Sequence, residues 1–488
     1  MSQESLKNKT IKGVGWSFGG SVASYGIQFI VGIVLARLLS PEEYGLIGII
    51  TIFITIFNGI VDSGFSSALI RKNNSTEEDY NTAFITNLLL SIALFILLYF
   101  GAPFIANFFK NQQLVALTRV MGFSLILNAL SIIQVTLLTK EIDFKTQTKS
   151  SVYSSLLSGI IGIAMAFGGL GVWALVGQQL SRLTFNTIFL WMFRKWRPTF
   201  IFSVQSFKEL WGYGWKLLVS GMLNNLWNQL YQVVVGKVYT PATLGFYTKA
   251  HEYVNLVSQN LNSVVQRVSF PALSKLQEDN AVLKQGYRRV IRVTMLVTFV
   301  LVLGLAACGK QFILVLIGEK WLPCVPFLQI ICFQMVLYPL HSLNLNALQV
   351  KGRSDLFLKL EIIKKIIGIV PILLGIFVGI YSMLIASIFT GMISYYLNAY
   401  YTAPLLDYGI KEQVKDILPS FGIAMTMAIP VYAMSFISMN SFILLPLQIV
   451  VGAVITISIC ELTKLPEYLE IKGIARPIIN EVIKYKMR

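Results

Sequence analysis

Arg37 to Gly45 reads R-L-L-S-P-E-E-Y-G, and Lys237 to Gly245 reads K-V-Y-T-P-A-T-L-G. A cation, a hydroxyl residue, a proline and a glycine keep their places: Arg37 with Lys237, Ser40 with Thr240, Pro41 with Pro241, Gly45 with Gly245. Upstream, G-x-G-W recurs as Gly13–Trp16 and Gly212–Trp215, offset by one residue. Each copy follows a long apolar run and precedes another, so it reads as the turn of a helical hairpin that opens each of two similar halves. Pro41 and Pro241 read as ending the first arm, because proline does not continue a helix. Gly45 and Gly245 read as opening the return arm through a tight turn.

Composition points to the same class. The chain has 488 residues, of which 55% are hydrophobic and 13% charged; soluble domains carry about 25% charged residues. Apolar runs long enough to cross a bilayer recur from Val14 to Glu461, and they are continuous rather than alternating, which selects helices over a barrel. The fold class expected is an all-α polytopic membrane protein of about 14 spans. They fall at 14–36, 46–68, 82–102, 115–138, 149–168, 171–193, 214–236, 244–266, 290–308, 325–348, 360–379, 381–402, 417–437 and 441–461. The basic start (Lys7, Lys9, Lys12) raises a signal peptide, but the run that follows is too long for its apolar core and carries the repeated motif. Cys308, Cys324, Cys332 and Cys460 lie in or beside apolar segments without paired spacing, so they read as small buried residues rather than a disulfide framework or zinc site.

The net charge of +17 comes from basic residues between the spans, the pattern of the positive-inside rule and not of a nucleic-acid binder. With the N-terminus inside, Arg37, Lys110, Arg119, Lys237, Lys310 and Lys320 fall outside, and inner segments hold roughly five basic residues for each outer one. Both termini are then cytoplasmic. An even number of spans separates the hairpins, so the halves are parallel repeats about an axis along the membrane normal. The organisation expected is an N-terminal bundle at 1–200, a second at 201–404, related by pseudo-two-fold symmetry, and 405–488 with two appended helices and a basic tail. The connections 194–213 and 270–289 are short and basic, suited to lying as amphipathic segments at the interface.

Polar residues inside spans mark a bundle interior or a wet cavity. Span 1 aligns Ser17, Ser21, Ser24 and Gln28 on one face, where interhelical hydrogen bonding alone accounts for them. Span 7 carries Lys216, Asn225, Asn228, Gln229 and Gln232; span 8 carries Lys249, Glu252, Asn255, Gln259 and, at its end, Arg267. So many amides and charges exceed what packing needs and suit a lumen that holds sugar hydroxyls. Arg182, in the middle of span 6, and Arg292 add positive charge matched to phosphate. Lys216, Arg292, Lys364 and Lys365 equally read as snorkelling to headgroups. Substrate-binding candidates are thus Arg182, Lys216, Asn225, Asn228, Gln229, Lys249, Asn255, Gln259, Arg267 and Arg292. Arg37 and Lys237 are candidates for an outer gate or phosphate contact. Asp62, Glu252 and Glu361 could bind a coupling ion, although Glu252 with Lys249, and Glu361 with Lys364 or Lys365, stand at ion-pair spacing. Neither His251 nor His341 is surrounded by a nucleophile or metal set, no Walker, zincin or hydrolase motif occurs, and neither a cofactor nor a catalytic residue is expected.

The motifs themselves resemble a family. L-A-R-L-L-S-P-E-E-Y-G (to Gly45), G-F-S-S-A-L-I-R-K (Gly64–Lys72), F-P-A-L-S-K-L-Q (Phe270–Gln277) and G-E-K-W-L-P-C-V-P-F-L-Q (Gly318–Gln329) look like those of the Wzx-type polysaccharide flippases. The likeness is to the colanic-acid and teichuronic-acid exporter branch of the superfamily that also holds multidrug exporters and lipid II flippases. It implies translocation of an undecaprenyl-pyrophosphate-linked oligosaccharide across the bacterial cytoplasmic membrane by alternating access. Cations in a central cavity would hold the pyrophosphate, and the product would be lipopolysaccharide, capsule or exopolysaccharide. Partners would be the lipid-linked glycan, membrane lipids and other polysaccharide-assembly proteins. Two other functions compete: an ion-coupled small-molecule exporter, which usually has fewer spans, and a membrane polymerase or transferase, which needs an outer loop or catalytic centre absent here.

Overall fold

The computed structural model describes residues 3–199, 201–274, 276 and 278–473. Among these every regular element is helical. Contacts divide the chain into two compact units, Met1–Gly245 and Phe246–Arg488. The first holds α1 (Gln3–Leu38), α2 (Pro41–Asp62), α3 (Phe65–Arg71), α4 (Glu77–Phe109), α5 (Gln113–Lys140), α6 (Phe144–Phe167), α7 (Val172–Phe193) and α8 (Val204–Val238). Helix α9 (Pro241–Ser274) begins in the first unit and continues into the second. There follow α10 (Asn280–Ala307), α11 (Gly309–Leu316), α12 (Cys324–Met335), α13 (Tyr338–Val350), α14 (Ser354–Ile367), α15 (Ile369–Phe377), α16 (Ile380–Leu406), α17 (Ile410–Ala433) and α18 (Ser441–Thr463).

Ten segments among the described residues are long and apolar enough to cross a bilayer: Gly19–Leu38, Pro41–Arg71, Glu77–Phe109, Gln113–Lys140, Phe144–Phe167, Asn280–Ala307, Cys324–Val350, Ile380–Leu406, Ile410–Phe436 and Ser441–Thr463. The protein is an all-α multi-pass membrane protein. The expected spans outside this set coincide with α7, α8, α9 and the pair α14–α15. The first three carry the Arg182 cluster and the amide stripes, which make them more polar, and the pair is interrupted at Gly368, which leaves two short helices.

The repeated hairpin works differently from its sequence reading. Ser40 is extended and caps α2: its Oγ accepts from the Glu43 N–H at 3.3 Å, while the Glu43 carboxylate accepts from the Ser40 N–H at 2.6 Å. Thr240 caps α9 in the same manner, its Oγ1 accepting from the Thr243 N–H at 3.2 Å. Such caps are worth about 1 kcal/mol each. The prolines occupy the first turn of the return helix, where no N–H is missed. The glycines are not turn residues. Gly45 lies buried inside α2, and a Cβ there would sit 1.8 Å from the Pro241 carbonyl oxygen; at Gly245 it would sit 2.0 Å from that of Pro41. The two copies of the motif therefore pack against each other, each glycine receiving the other's proline backbone.

A second close crossing joins α8 to the α2–α3 junction. Ser63 and Gly64 are both left-handed (φ 50° and +71°) and turn the chain between those helices. A Cβ on Gly64 would lie 2.6 Å from the Gly214 carbonyl oxygen, and one on Gly214 would lie 2.6 Å from that of Ser63. Beside it Phe65, Leu69, Tyr80, Phe84, Ile133, Leu137 and Leu210 form a buried cluster flanked by Trp191 and Trp196. Residues 204–213 of the basic connection after α7 belong to α8, where Ser206 and Leu210 are buried on one side, and the part before them, described at 194–199 and 201–203, has no regular structure. That part is stapled to α4 by Thr199 N–H to Asn81 Oδ1 at 2.7 Å, Ser203 N–H to Thr82 Oγ1 at 3.0 Å and Trp196 Nε1 to Glu77 at 2.9 Å. At its start Arg194 makes a bidentate bond to Glu141 at 2.6 and 2.7 Å, which raises the guanidinium pKa. The spacing of apolar residues predicted none of these long-range bonds.

In the second unit α10 packs on α12 and α17, and α16 on α12, α13 and α15. Buried amides are paired across helices: Asn344 Nδ2 donates to Gln413 Oε1 at 3.2 Å, and Thr402 Oγ1 donates to Asn344 Oδ1 at 3.0 Å. All four cysteines are free and buried, the role the sequence suggested.

Candidate functional site

Within the first unit α1, α5, α6 and α7 line a polar cleft. Close approach of α1 to α6 depends on small residues: a Cβ at Gly20 would overlap Thr148, and one at Gly159 would lie 2.5 Å from Val31 Cγ2. The serine face of α1 consequently meets the serine face of α6, with Ser24 Oγ and Ser151 Oγ 2.9 Å apart. On α7, Asn186 Oδ1 accepts from Ser150 Oγ at 2.8 Å. Arg182 projects between these helices, half-buried, and donates to Gln28 Oε1 at 2.8 Å. Two chambers, of about 280 and about 250 Å³, flank it and share Gln147, Ser151 and Arg182. The larger adds Ser21, Ser24, Tyr25 and Thr148; the smaller adds Ser154, Ser155 and Asn186.

Among the described residues no carboxylate forms an ion pair with Arg182. A guanidinium held among neutral hydroxyls and amides inside an apolar bundle keeps most of its five donors for an incoming acceptor, and its charge is weakly compensated. Phosphate or carboxylate fits that chemistry best. Ser21, Ser24 and Gln28 were visible as a stripe in the sequence. The α6 half of the wall adds Ser150, Ser151, Ser154, Ser155 and Ser158, whose one-turn spacing is the sequence signal for it.

The other sequence-selected residues are spread over both units. On α9, Lys249 is buried (3% exposed) and bonded to Glu252 at 2.8 Å, the pairing expected from spacing. Beyond it Asn255 lies 2.7 Å from the His251 ring and accepts from Gln259 at 3.1 Å, which makes a polar ladder along one helix. Glu361 likewise pairs with Lys364. On α8, Lys216 and Asn228 are exposed, whereas Asn225 reaches α2, its Nδ2 2.9 Å from where a Gly59 Cβ would stand. Gln229 Oε1 is buried and accepts no hydrogen bond among the described residues. Asp62 accepts from Ser66, which in turn accepts from Thr136 at 3.1 Å. Arg37 and Lys237 are exposed; Lys237 sits 4.1 Å from the Phe108 ring centre and donates to the Phe108 carbonyl. Arg292 is held by Asp416, which also binds Arg288 and the Tyr408 hydroxyl. The side chain of Arg267, the end of the Phe270–Gln277 motif and the basic tail from 474 lie outside the described residues.

Comparison with known proteins adds family and fold. A family model described as "Polysaccharide biosynthesis protein" matches residues 34–326. The teichuronic acid biosynthesis protein TuaB of Bacillus subtilis is 27% identical over 72% of this chain and 73% of its own length. The succinoglycan biosynthesis transport protein ExoT of Rhizobium meliloti is 25% identical over 66% of this chain and 65% of its own. Among solved structures, the lipid II flippase MurJ in an inward closed conformation superposes with a TM-score of 0.72, at 17% identity, over 91% of this chain and 98% of its own.

Proposed function

The chain belongs to the polysaccharide biosynthesis protein family, and we propose that it is a flippase that carries an undecaprenyl-pyrophosphate-linked oligosaccharide across the bacterial cytoplasmic membrane. The observation that carries this reading is Arg182: a cation without a carboxylate partner among the described residues, set between hydroxyl- and amide-lined chambers in an apolar bundle. Arg182 would bind the pyrophosphate, and the serines, Gln147 and Asn186 would exchange hydrogen bonds with sugar hydroxyls. One relative named for teichuronic acid biosynthesis and another named for succinoglycan biosynthesis transport support the substrate class.

Around this centre the remaining assignments follow the sequence. Both termini lie on the cytoplasmic side by the distribution of basic residues. The helices α7, α8, α9 and α14–α15 also cross, which makes the count fourteen, and the halves 1–200 and 201–404 are parallel repeats followed by 405–488. Lys216, Asn228 and Gln229 in the first unit, and Lys249, Asn255, Gln259 and Arg267 in the second, are kept as the sequence-based candidates for substrate contact, and Arg37 and Lys237 for the outer gate. Other polysaccharide-assembly proteins receive the product. Asp62, Glu252 and Glu361 are the candidates for a coupling ion; the ion pairs of the last two make Asp62 the first to test.

The test uses a strain lacking the native gene. Arg182→Gln should abolish surface polysaccharide while membrane levels of the protein stay normal, and Arg182→Lys should restore part of it. In vesicles the purified protein should move a labelled lipid-linked glycan without altering it covalently. Full polymer with Arg182→Gln, or a covalently changed glycan, would sink the reading.

A further inference from the structure

Away from that cleft, the start of α10 presents Gln285, Arg288, Arg289 and Arg292 at spacings that place them on one helical face. The helical segment 466–473 lies against this face, and the two enclose a cavity of about 200 Å³ lined by these four residues with Pro466, Glu467 and Glu470. We propose that this cavity is a binding site for a phosphate group, supplied by the headgroup of an anionic phospholipid or by a free phosphate ion.

The guanidinium donors outnumber the acceptors that face them. Each guanidinium carries five N–H donors. Arg288 spends Nε and one amino group on Asp416, at 2.7 and 2.8 Å, and Arg292 spends one amino group on the same carboxylate. Asp416 also accepts from Tyr408 at 2.7 Å, so its two oxygens are fully engaged. Arg292 Nε has no acceptor among the described residues, but it is closed off from solvent and adds no donor to the cavity. Arg289 reaches Glu470 through Nε alone, at 2.8 Å, and its side chain is 66% exposed. Glu467, buried at 4% exposure, accepts from Ser420 on α17 and anchors the segment rather than the arginines. A tetrahedral anion presents several acceptor oxygens to this surplus, and planar guanidinium edges match it. Among the described residues Glu467 and Glu470 are the carboxylates that line the cavity, and Glu470 competes for Arg289 through a solvent-accessible pair that is weak. The charge pattern assigns this end of α10 to the cytoplasmic side, where anionic headgroups and soluble phosphates are both present.

The two partners of the Arg289–Glu470 pair separate this proposal from a purely structural latch. The purified full-length protein is reconstituted in phosphatidylcholine discs, and ligand binding is read from the shift in unfolding temperature. One arm adds phosphatidylglycerol; the other adds inorganic phosphate. Arg289→Gln should weaken binding about fivefold, whereas Glu470→Gln should strengthen it severalfold because the competing carboxylate is gone. A mere latch predicts equal losses from both changes and no ligand dependence. Response to the lipid alone identifies a headgroup site, and response to inorganic phosphate identifies a soluble anion. No response in either arm, or parallel behaviour of the two variants, would overturn the proposal. Retention of polymer export is read separately, so failure here leaves the Arg182 assignment untouched.

Discussion

Substituting alanine for glycine has opposite expected outcomes at Gly45 and Gly221, both inside helices. At an open helical position the change stabilises by about 0.5–1 kcal/mol, because glycine loses more backbone entropy on folding. Gly221 in α8 has nothing within 4 Å of a new Cβ, so Gly221→Ala should follow that rule. At Gly45 the new atom would stand 1.8 Å from the Pro241 oxygen, and real Cβ atoms essentially never come within 3.0 Å of such a neighbour. Backbone cannot swing aside as a side chain can, so α2 and the start of α9 must part by at least about 1.2 Å. Overpacking of this kind costs roughly 1–3 kcal/mol, and the parted surfaces also lose dispersion contacts. The two substitutions should therefore act in opposite directions and differ by roughly 1.5–4 kcal/mol. Gly245→Ala should cost a similar amount, because its Cβ meets Pro41 at 2.0 Å. Once one variant has separated the helices, the second has less left to disrupt, so the double variant should fall short of the sum by about 1 kcal/mol. The assay is the monodisperse fraction surviving a temperature series in detergent, with each variant heated alongside the wild type. A Gly45→Ala protein as heat-stable as Gly221→Ala, or strict additivity of the pair, would refute the crossing.

Removing the cap with Ser40→Ala should cost about 0.5–2 kcal/mol, and Thr240→Ala less than that, since Ser40 has the reciprocal Glu43 bond and Thr240 pairs with Thr243; the same heating series reads both. Asn81→Ala removes a buried acceptor from the Thr199 N–H and should destabilise by about 1–3 kcal/mol, whereas Arg194→Ala, which breaks a bidentate pair between a largely buried guanidinium and the half-exposed Glu141, should cost about 1 kcal/mol or less; proteolysis of the connection after α7 would show the difference. In intact vesicles the four buried thiols should resist a bulky maleimide and react together on unfolding; fast labelling of any one in the native protein would contradict its burial.

Much of the helical plan was legible because membrane helices must satisfy their own backbone and advertise themselves by length and hydropathy. Pairings within one helix were legible too: Lys249 with Glu252 and Glu361 with Lys364 follow from spacing alone. Contacts between distant segments were not. Arg292 looked like a lumen cation because its counter-ion, Asp416, lies 124 residues away. Asn225 looked like a lumen amide, yet its place against Gly59 depends on how α8 crosses α2. Arg182 announced itself as a charge where charge is expensive, but Gln28, its partner 154 residues earlier, could only be placed once α1 and α7 were set side by side.

The hairpin motif shows why residue type can be read before its task. A hydroxyl, a proline and a glycine in that order suit a turn, and they equally suit a capped helix whose second turn must be bare. The structure decides between these by what lies opposite: each copy faces the other, so one constraint acts twice. A helix start that receives a foreign carbonyl at its fifth residue needs a cap that costs no bulk, a first turn that tolerates a missing N–H, and no Cβ at the contact. Any residue larger than glycine in either copy pushes on both. Retention of the same three residue types at two places 200 positions apart follows from that reciprocity, and a turn alone would have tolerated their drift.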